Sequence, residues 1–528
     1  MKDFSYLLTF IFLFCSASNI FSQYQNIRVD GPQSYQPEEV TIAINPVNPN
    51  ILAAGANIDH FYVSSDAGKT WNESHLVSNT LGVWGDPVVL FDSLGNLFYS
   101  HLSNPVSGWW IDRIVVQKST DNGQTWNDGV GVGLNIYPQQ QDKEWLAVDL
   151  TQSPYRGNVY VTWTEFDDYG SSNPNDSSRI RFSKSTDAGD SWSDAITISD
   201  VSGNCFDDDL TTEGAVPCVG PNGEIYVSWA GPAGLVFDKS TDGGVTWGAD
   251  VFVNDMPGGW AFDVTGISRC NGMPITMCDL SSSPYNGHIY IIWSDQRNGT
   301  TNTDIFMSKS TDAGETWSPQ LKINDDNTTR HQFFVWSDID QSTGHIWCVF
   351  YDRRNTTGVD TDVFVAKSTD GGANFENFKV SESSFTPTSS VFFGDYTNIA
   401  AFNGKIYPIW MRLQNSQLSV WIAPLTDSTT ITHSEITQTI PNDYLLFQNY
   451  PNPFNPSTTI SYQIPIEAFV TIKVYDILGN EIEILTNEYI PAGVHEVMFD
   501  AADLSSGMYF YRIKANEFEQ MNKMILIK

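Results

Sequence analysis

Five acidic side chains lie at corresponding places along the chain, each just before a segment of apolar, strand-forming residues. They are Glu39, Asp86, Glu144, Glu213 and Asp395. Carboxylates can exchange protons with a substrate, and they accept hydrogen bonds from donor groups of a ligand. If the fold brings the five strand starts together, these side chains form an acidic site. Acidic residues at strand starts also bind local backbone N–H groups, so a structural role is the alternative.

Arginine and aspartate are close neighbours at two further places. Arg297 follows Asp295 by two residues, and Arg353 follows Asp352 directly. A guanidinium can hold an anionic ligand through two parallel hydrogen bonds. We therefore treat Arg297 and Arg353 as candidates for substrate binding, with a local ion pair to the neighbouring aspartate as the alternative.

The elements that must position these residues are marked by a repeated turn motif, S-x-D-x-G-x-T-W. It begins at Ser64 and recurs at intervals of about 55 to 70 residues, which indicates an array of small supersecondary units. Aspartate accepts backbone N–H bonds within its own turn, and glycine supplies the positive φ of a tight hairpin. The aspartates of the six copies are predicted to be structural, and they are Asp66, Asp121, Asp187, Asp242, Asp312 and Asp370.

A glycine-initiated strand precedes most copies of the motif, and a seventh such strand, 404–410, has no motif after it. We therefore predict an all-β protein in which residues 23–425 form a ring of seven four-stranded sheets, with six sheets as the alternative. Residues 26–30 resemble the outer strands that follow the motifs elsewhere. We expect this first strand to complete the last sheet and so close the ring.

The motif resembles the Asp box, or BNR repeat, of the sialidase superfamily of β-propellers. The resemblance implies that Tyr396, which precedes strand 404–410, is a nucleophile activated by Glu213, and that Asp59 is the acid/base. Two features depart from the family pattern. Ala230 stands where an arginine is expected, and Arg28 lacks the Phe-Arg-Ile-Pro context of the family.

The resemblance also implies three arginines that hold the carboxylate of sialic acid. Two of these have no counterpart at the matching positions. Other arginines could replace them if the loops converge, and the candidates are Arg297, Arg330, Arg353 and Arg412.

The two ends of the chain carry transport signals. Residues 1–22 read as a secretory signal peptide, and the Thr/Ser-rich residues 426–443 read as a linker. Alternating apolar residues in 444–528 predict a small β-sandwich. Its NYPNPFNPST, VYDILGN and SSGMYFYRI segments resemble the C-terminal sorting domain of type IX secretion. The resemblance implies contact with that machinery and a secreted or cell-surface location.

The composition limits the partners. The formal net charge of −35 argues against nucleic acid and anionic membranes as partners, and no stretch after the signal is apolar enough to span a membrane.

The cysteines offer two candidate disulfides, Cys205 with Cys218 or Cys270 with Cys278, and buried free thiols are the alternative. No zinc motif or cofactor motif occurs. Structural calcium at 207–209 or 338–344 is possible but not favoured.

Two functions from different classes follow. The first is a secreted propeller that binds a glycan or another extracellular polymer on its acidic face, and we favour it because the arginine set is incomplete. The alternative is an exo-sialidase-type glycoside hydrolase with a tyrosine nucleophile.

Overall fold

A computed structural model describes residues 24–31, 36–133, 136–427, 444–449, 452–466, 468–490, 493–502, 504–516 and 518–528. The predicted signal peptide and residues 428–443 of the predicted linker lie outside this part of the chain. The described residues contain strands and turns but no helix, and accordingly no helix that could cross a membrane. The chain divides into two compact units, Met1–Thr430 and Ile431–Lys528.

The described residues of the first unit form seven sheets, which we call blades 1 to 7. The first strand, β1 (Ile27–Arg28), belongs to blade 7. Blade 1 contains β2 (Thr41–Ile44), β3 (Leu52–Ala56), β4 (His60–Ser64) and β5 (Asn72–His75). Blade 2 contains β6 (Val88–Phe91), β7 (Leu97–Leu102), β8 (Ile114–Ser119) and β9 (Val130–Val132). Blade 3 contains β10 (Gln140–Val148), β11 (Val159–Phe166), β12 (Ser178–Ser185) and β13 (Ile196–Thr197).

Blades 4 to 7 follow the same order. Blade 4 contains β14 (Glu213–Val219), β15 (Ile225–Gly231), β16 (Gly234–Ser240) and β17 (Val251–Asn254), and blade 5 contains β18 (Ile275–Cys278), β19 (Ile289–Asp295), β20 (Asp304–Ser310) and β21 (Leu321–Lys322). Blade 6 contains β22 (Gln332–Asp340), β23 (His345–Asp352), β24 (Asp362–Ser368) and β25 (Glu376–Lys379). Blade 7 contains β26 (Asn398–Phe402), β27 (Lys405–Gln414), β28 (Gln417–Ile422) and β29 (Leu425–Thr426).

The innermost strand of each blade contacts the innermost strands of its two neighbours, and β26 contacts β2, so the ring is closed. The second strands are buried along almost their whole length. Their β-branched and aromatic residues pack between adjacent blades. Four tryptophans with almost no exposed surface lie on these second strands, namely Trp163, Trp229, Trp293 and Trp410.

The first strand closes the last blade, as the sequence predicts. Ile27 pairs with Ile422 and Arg28 with Trp421. The buried Asp30 carboxylate accepts the Val420 N–H at 2.7 Å. The last blade extends beyond the predicted end at residue 425. β29 pairs with β27, and the buried Asp427 lies within 2.8 Å of Lys367.

The six motif turns connect the third and fourth strands of blades 1 to 6. In the blade 3 turn, Ser185 Oγ donates to Asp187 Oδ1 at 2.7 Å and accepts the Gly189 N–H at 2.8 Å. Asp187 Oδ1 also accepts the Ser191 N–H at 2.9 Å. The same serine–aspartate and serine–glycine bonds occur in the other five turns.

These turns also join each blade to the one before it. The Trp247 ring packs edge-on against Phe182 of the preceding blade at 4.9 Å, and Trp317 packs against Phe237 at 5.1 Å. A β-carbon on Gly244 would lie 2.4 Å from Phe182, so only glycine allows this approach. In these two copies the motif tryptophan therefore packs on the preceding blade.

The strand order fixes two faces. Each first strand runs from one face to the other and the second strand returns. The motif turns therefore lie on one face, which we call the bottom face. The starts of the inner strands and the turns between second and third strands lie on the opposite face, which we call the top face.

The second unit contains two antiparallel sheets around one apolar core. The core includes Val470, Ile472, Tyr511 and Ile513. The strands of the unit are β30 (Leu445–Leu446), β31 (Ser457–Ile464), β32 (Ala468–Tyr475), β33 (Glu481–Ile490), β34 (Gly493–Asp500), β35 (Gly507–Ala515) and β36 (Phe518–Leu526).

Candidate functional site

The inner strands begin with an irregular residue that turns the following side chains toward the centre of the top face. Lys143 in blade 3, Gly214 in blade 4 and Phe334 in blade 6 have positive φ. The pairing register of the inner strand shifts at each of these places, which is the signature of a β-bulge. Glu39 and Asp86 have the same backbone conformation just before blades 1 and 2. Bulges of this kind redirect side chains that would otherwise alternate across a sheet.

Ten residues that interact with one another on this face form what we call the central cluster. They are Glu39, Asp86, Asp142, Lys143, Glu144, Asp207, Glu213, Arg269, Asp395 and Tyr396. The cluster therefore contains all five carboxylates that the sequence singles out at inner-strand starts, together with two cations.

Two cations hold Asp395, whose side chain is completely buried. Lys143 Nζ lies 2.5 Å from Asp395 Oδ2 and 3.6 Å from Asp86 Oδ2. Arg269 donates to both oxygens of Asp395, from Nε at 3.0 Å and from Nη2. Its Nη1 donates to Asp207 Oδ2 at 2.9 Å. With its side chain 36% exposed, Arg269 is far more exposed than either of its carboxylate partners.

These ion pairs determine which groups are charged. Burial alone would raise the pKa of Asp395, but the charges of Arg269 and Lys143 outweigh burial and hold this pKa far below its ordinary value. Burial likewise opposes the charge of Lys143, whereas Asp395 and Asp86 raise its pKa well above the usual range. Lys143, Arg269 and Asp395 are therefore all charged at neutral pH.

The pKa values of three other carboxyls in the cluster are shifted in the opposite direction, upward. Burial, with a further contribution from Asp86, raises the pKa of Glu144, and burial with a contribution from Asp207 raises that of Glu213. Neither carboxyl accepts a hydrogen bond of normal geometry from the described residues. Burial also raises the pKa of Asp142 to about 8. Burial therefore favours the neutral form of these three carboxyls, and a neutral carboxyl can donate a hydrogen bond.

Three aromatic rings occupy equivalent positions, each two residues after a positive-φ residue. Trp145 and Trp336 have ring centroids 4.0 Å apart, and Tyr396 meets Trp145 edge-on at 5.5 Å. Trp145 and Trp336 also line the central channel, a largely apolar cavity of about 360 Å³. The Tyr396 hydroxyl has no hydrogen-bond partner among the described residues, and the residue is only 2% exposed.

A row of exposed aromatic side chains leads from blade 2 toward the cluster, and we call it the aromatic ridge. Trp84 packs edge-on against Trp110 at 6.4 Å, and Trp110 packs against Tyr169 at 5.6 Å. Trp84 and Trp110 are 39% and 40% exposed. The Tyr169 hydroxyl donates to Asp207 Oδ2 at 2.7 Å, which connects the ridge to the central cluster.

Asp59, the predicted acid/base, interacts with residues outside the cluster. It lies in the turn before β4, is partly exposed, and is paired with His75 at 2.9 Å. Tyr396 and Glu213 both belong to the cluster, and Lys143 acts electrostatically on both. Ala230 lies directly opposite Glu213 in the ladder of β14 and β15.

The arginines proposed from the sequence have structural partners. Arg297 pairs with Asp295 and lies over the Phe306 ring. The buried Arg353 donates to Thr265 O at 2.7 Å, and Thr265 lies in the same loop as Arg269. Arg330 and Arg412 donate to Gly358 O and Ser383 Oγ. The arginine that binds Asp395 is Arg269, which the sequence did not indicate as a site residue.

The oxygen-rich segment 338–344 and the cysteines also have local roles. Asp338 and Asp340 accept backbone N–H groups of blade 7, from Ala401 at 2.8 Å and from Gly404 at 2.6 Å. All five cysteines among the described residues are free thiols. Neither candidate disulfide is formed, and burial of these small side chains is the arrangement that the fold adopts.

Comparison with known proteins identifies the second unit. Residues 448–528 match the family of secretion system C-terminal sorting domains. Such a domain directs type IX export, so the protein is secreted or held at the cell surface.

The propeller unit resembles glycan-processing proteins. The chain is 24% identical over 373 residues to xyloglucanase Xgh74A of Acetivibrio thermocellus, a match that covers 67% of this chain and 39% of that protein. The chain thus spans about two fifths of the length of this relative. It is 30% identical over 119 residues to a sialidase of Bacteroides fragilis, covering 18% of this chain and 21% of that protein.

Two solved structures superpose in part on this chain, and they are a sialidase and an arabinanase. The NanB sialidase of Streptococcus pneumoniae superposes with a TM-score of 0.44 and 12% identity, covering 67% of this chain and 70% of that one. An α-L-arabinanase of Penicillium chrysogenum gives 0.42 and 14%, covering 77% and 98%. The chain is an exported β-propeller that is similar to a xyloglucanase and, over a shorter stretch, to a sialidase, and it ends in a type IX secretion sorting domain.

Proposed function

We propose that this protein is a secreted glycan-binding propeller whose top face holds a neutral polysaccharide along the aromatic ridge. One observation carries the proposal: the exposed rings of Trp84 and Trp110 continue through Tyr169 into the central cluster. A carbohydrate presents apolar C–H faces and polar hydroxyls, so it requires flat aromatic surfaces beside hydrogen-bonding groups.

The ridge is exposed although burial would stabilise it. Soluble proteins expose few neighbouring large apolar side chains unless these contact a partner. The rings hold each other edge-to-face, which fixes their orientation before a ligand arrives and reduces the entropy lost on binding. Asp207 and Arg269 lie at the end of the ridge and offer an acceptor and a donor to sugar hydroxyls.

The charge of the face favours a neutral ligand over an anionic one. The cluster has two cations, and each already pairs with at least one aspartate. The whole chain carries an excess of 35 negative charges, which repels sialic acid and other acidic glycans. The similarity to a xyloglucanase makes xyloglucan the first polymer to test.

Several features support binding rather than catalysis. Tyr396 is buried, and burial together with Glu39 and Asp86 raises the pKa of its hydroxyl, which opposes nucleophilic attack at neutral pH. Asp59 is held by His75. The four arginines that the sequence offers for a sialic acid carboxylate each donate at least one hydrogen bond to another residue of the protein.

Binding is tested by isothermal titration of the purified full chain with xyloglucan and with a panel of neutral and sialylated oligosaccharides. We expect Trp110→Ala and Trp84→Ala to weaken binding of the neutral polymer at least about tenfold, or about 1.4 kcal/mol. The matched control is Phe252→Ala, an aromatic that is 56% exposed on the outer strand of blade 4. Equal affinity in all variants, or no binding across the panel, would refute the proposal.

The second candidate is a glycoside hydrolase of sialidase type. It is favoured by one observation, the hydroxyl of Tyr396 and the carboxyl of Glu213 that lack hydrogen-bond partners on the same face. Incubation with a fluorogenic sialoside and with xyloglucan measures turnover directly. Turnover that disappears in Tyr396→Phe would establish this function, and absence of turnover on both substrates would eliminate it.

A further inference from the structure

The edge of blade 1 carries two histidines and an aspartate whose ligand atoms converge. One atom from each of Asp59, His60 and His75 lies within 4.8 Å of the other two. We propose that these residues form a binding site for a divalent transition metal, zinc in the first instance, with one open coordination position facing solvent.

The backbone fixes the three ligands relative to one another. His60 begins β4 and His75 ends β5, and the two are direct cross-strand partners in the ladder. Their rings lie 4.9 Å apart. The Asp59 carbonyl accepts the Leu76 N–H at 2.7 Å, which ties the third ligand to the same strand end. The site is therefore built on paired strands rather than on a free loop.

A carboxylate behind His60 orients its ring. Glu73 Oε1 lies 2.9 Å from His60 Nδ1, and the other oxygen of Glu73 accepts the Gly31 N–H at 2.7 Å. Metal-binding histidines commonly donate their second ring N–H to a carboxylate, which fixes the tautomer and makes the ligand nitrogen more basic. In this arrangement His60 Nε2 is the nitrogen directed at the metal.

The remaining two ligands are exposed enough to adjust. The His75 and Asp59 side chains are 55% and 40% exposed, and His75 Nδ1 lies 2.9 Å from Asp59 Oδ1. A tetrahedral zinc ion with bonds of about 2.1 Å requires ligand atoms about 3.4 Å apart. Small rotations of these two exposed side chains reach this spacing and admit the metal between them.

The donor set determines the class of metal. Two imidazoles and one carboxylate suit zinc, copper or nickel, whereas calcium and magnesium require oxygen ligands. Three protein ligands leave the fourth position of zinc for water or for an oxygen of a bound ligand. This site is separate from the central cluster and does not depend on the proposed glycan binding.

The test uses tag-free full chain that has been stripped with chelator and titrated calorimetrically with zinc chloride. We expect one zinc ion per chain. His75→Asn and Asp59→Asn should weaken zinc binding at least tenfold, and Glu73→Gln by about tenfold through the orientation of His60. The matched control is His495→Asn in the second unit, which should bind zinc as the unmodified chain does. Magnesium chloride should give no binding.

A second measurement is independent of the variants. X-ray absorption of the zinc-loaded unmodified chain should show two imidazole ligands. A spectrum without imidazole, zinc binding that persists in His75→Asn and Asp59→Asn, or no stoichiometric zinc binding would each overturn the proposal.

Discussion

Lys143 Nζ lies 2.5 Å from Oδ2 of Asp395, although the two residues are 252 positions apart and belong to blades 3 and 7. The pair connects two non-adjacent blades across the mouth of the channel. Both side chains are almost completely buried. Because two buried charges are stable only together, this pair couples the closure of the ring to the structure of the site.

Replacement of Lys143 by methionine tests that coupling. It leaves Asp395 with Arg269 as its cation and leaves Asp86 without its ion pair, so we expect the free energy of unfolding to fall by about 3–5 kcal/mol. Urea denaturation followed by tryptophan fluorescence measures the change. Lys69→Met, at an exposed position in a motif turn, is the control and should change stability little. A loss below about 1 kcal/mol for Lys143→Met would show that the pair contributes little.

Glu213 should have the opposite effect on stability. Its folded-state pKa is raised, mainly by burial, so the unfolded chain releases its proton first as the pH rises above about 4.3. Glu213 therefore destabilises the fold progressively from that pH up to its folded pKa, by about 1.4 kcal/mol per pH unit. Glu213→Gln should raise the free energy of unfolding at pH 7.5 and leave it nearly unchanged at pH 4.

Denaturation of Glu213→Gln at the two pH values provides the check. Glu376→Gln, at an exposed position on β25, is the control, and it should behave like the unmodified chain at both. A loss of stability that is larger at pH 7.5 than at pH 4 would mean that the native site requires the charged form of Glu213.

The sequence predicted much of the ring. The repeated serine, aspartate and glycine determine a turn by local hydrogen bonds, so their spacing reveals the hairpins without knowledge of tertiary contacts. Residues 26–30 resemble the other outer strands, so the sequence also predicts the closing strand. The packing partner of Trp247 could not be predicted in this way, because Trp247 contacts Phe182 of another blade.

The site was predicted less completely for a physical reason. Glu144, Glu213 and Asp395 were found because strand starts can be located from periodicity. Lys143 was missed because the bulge that redirects it appears only in the pairing register. Arg269 lies in an irregular stretch between β17 and β18, where no periodicity indicates which side chain reaches the centre.

The motif turns supply a third prediction. Ser185→Ala removes the acceptor of the buried Gly189 N–H and the donor to Asp187. A buried donor without a partner costs about 1–3 kcal/mol, so we expect a loss of that size in the free energy of unfolding. The exposed Ser202→Ala serves as the control. If both variants unfold at the same urea concentration, the turn hydrogen bonds do not stabilise the blade.

The closing strand supplies the last prediction. β1 has only two ladder residues, so Asp30 carries much of its attachment, accepting Val420 N–H at 2.7 Å and Arg28 Nη2 at 2.6 Å. In Asp30→Ala the buried Val420 N–H loses its acceptor and Arg28 its partner, and we expect a loss of about 2–4 kcal/mol. Limited proteolysis should also release the N-terminal segment faster. Asp190→Ala removes an exposed partner of Lys118 and should cost less than about 1 kcal/mol. Equal effects of the two substitutions would mean that the ring is held closed by the inner strands alone.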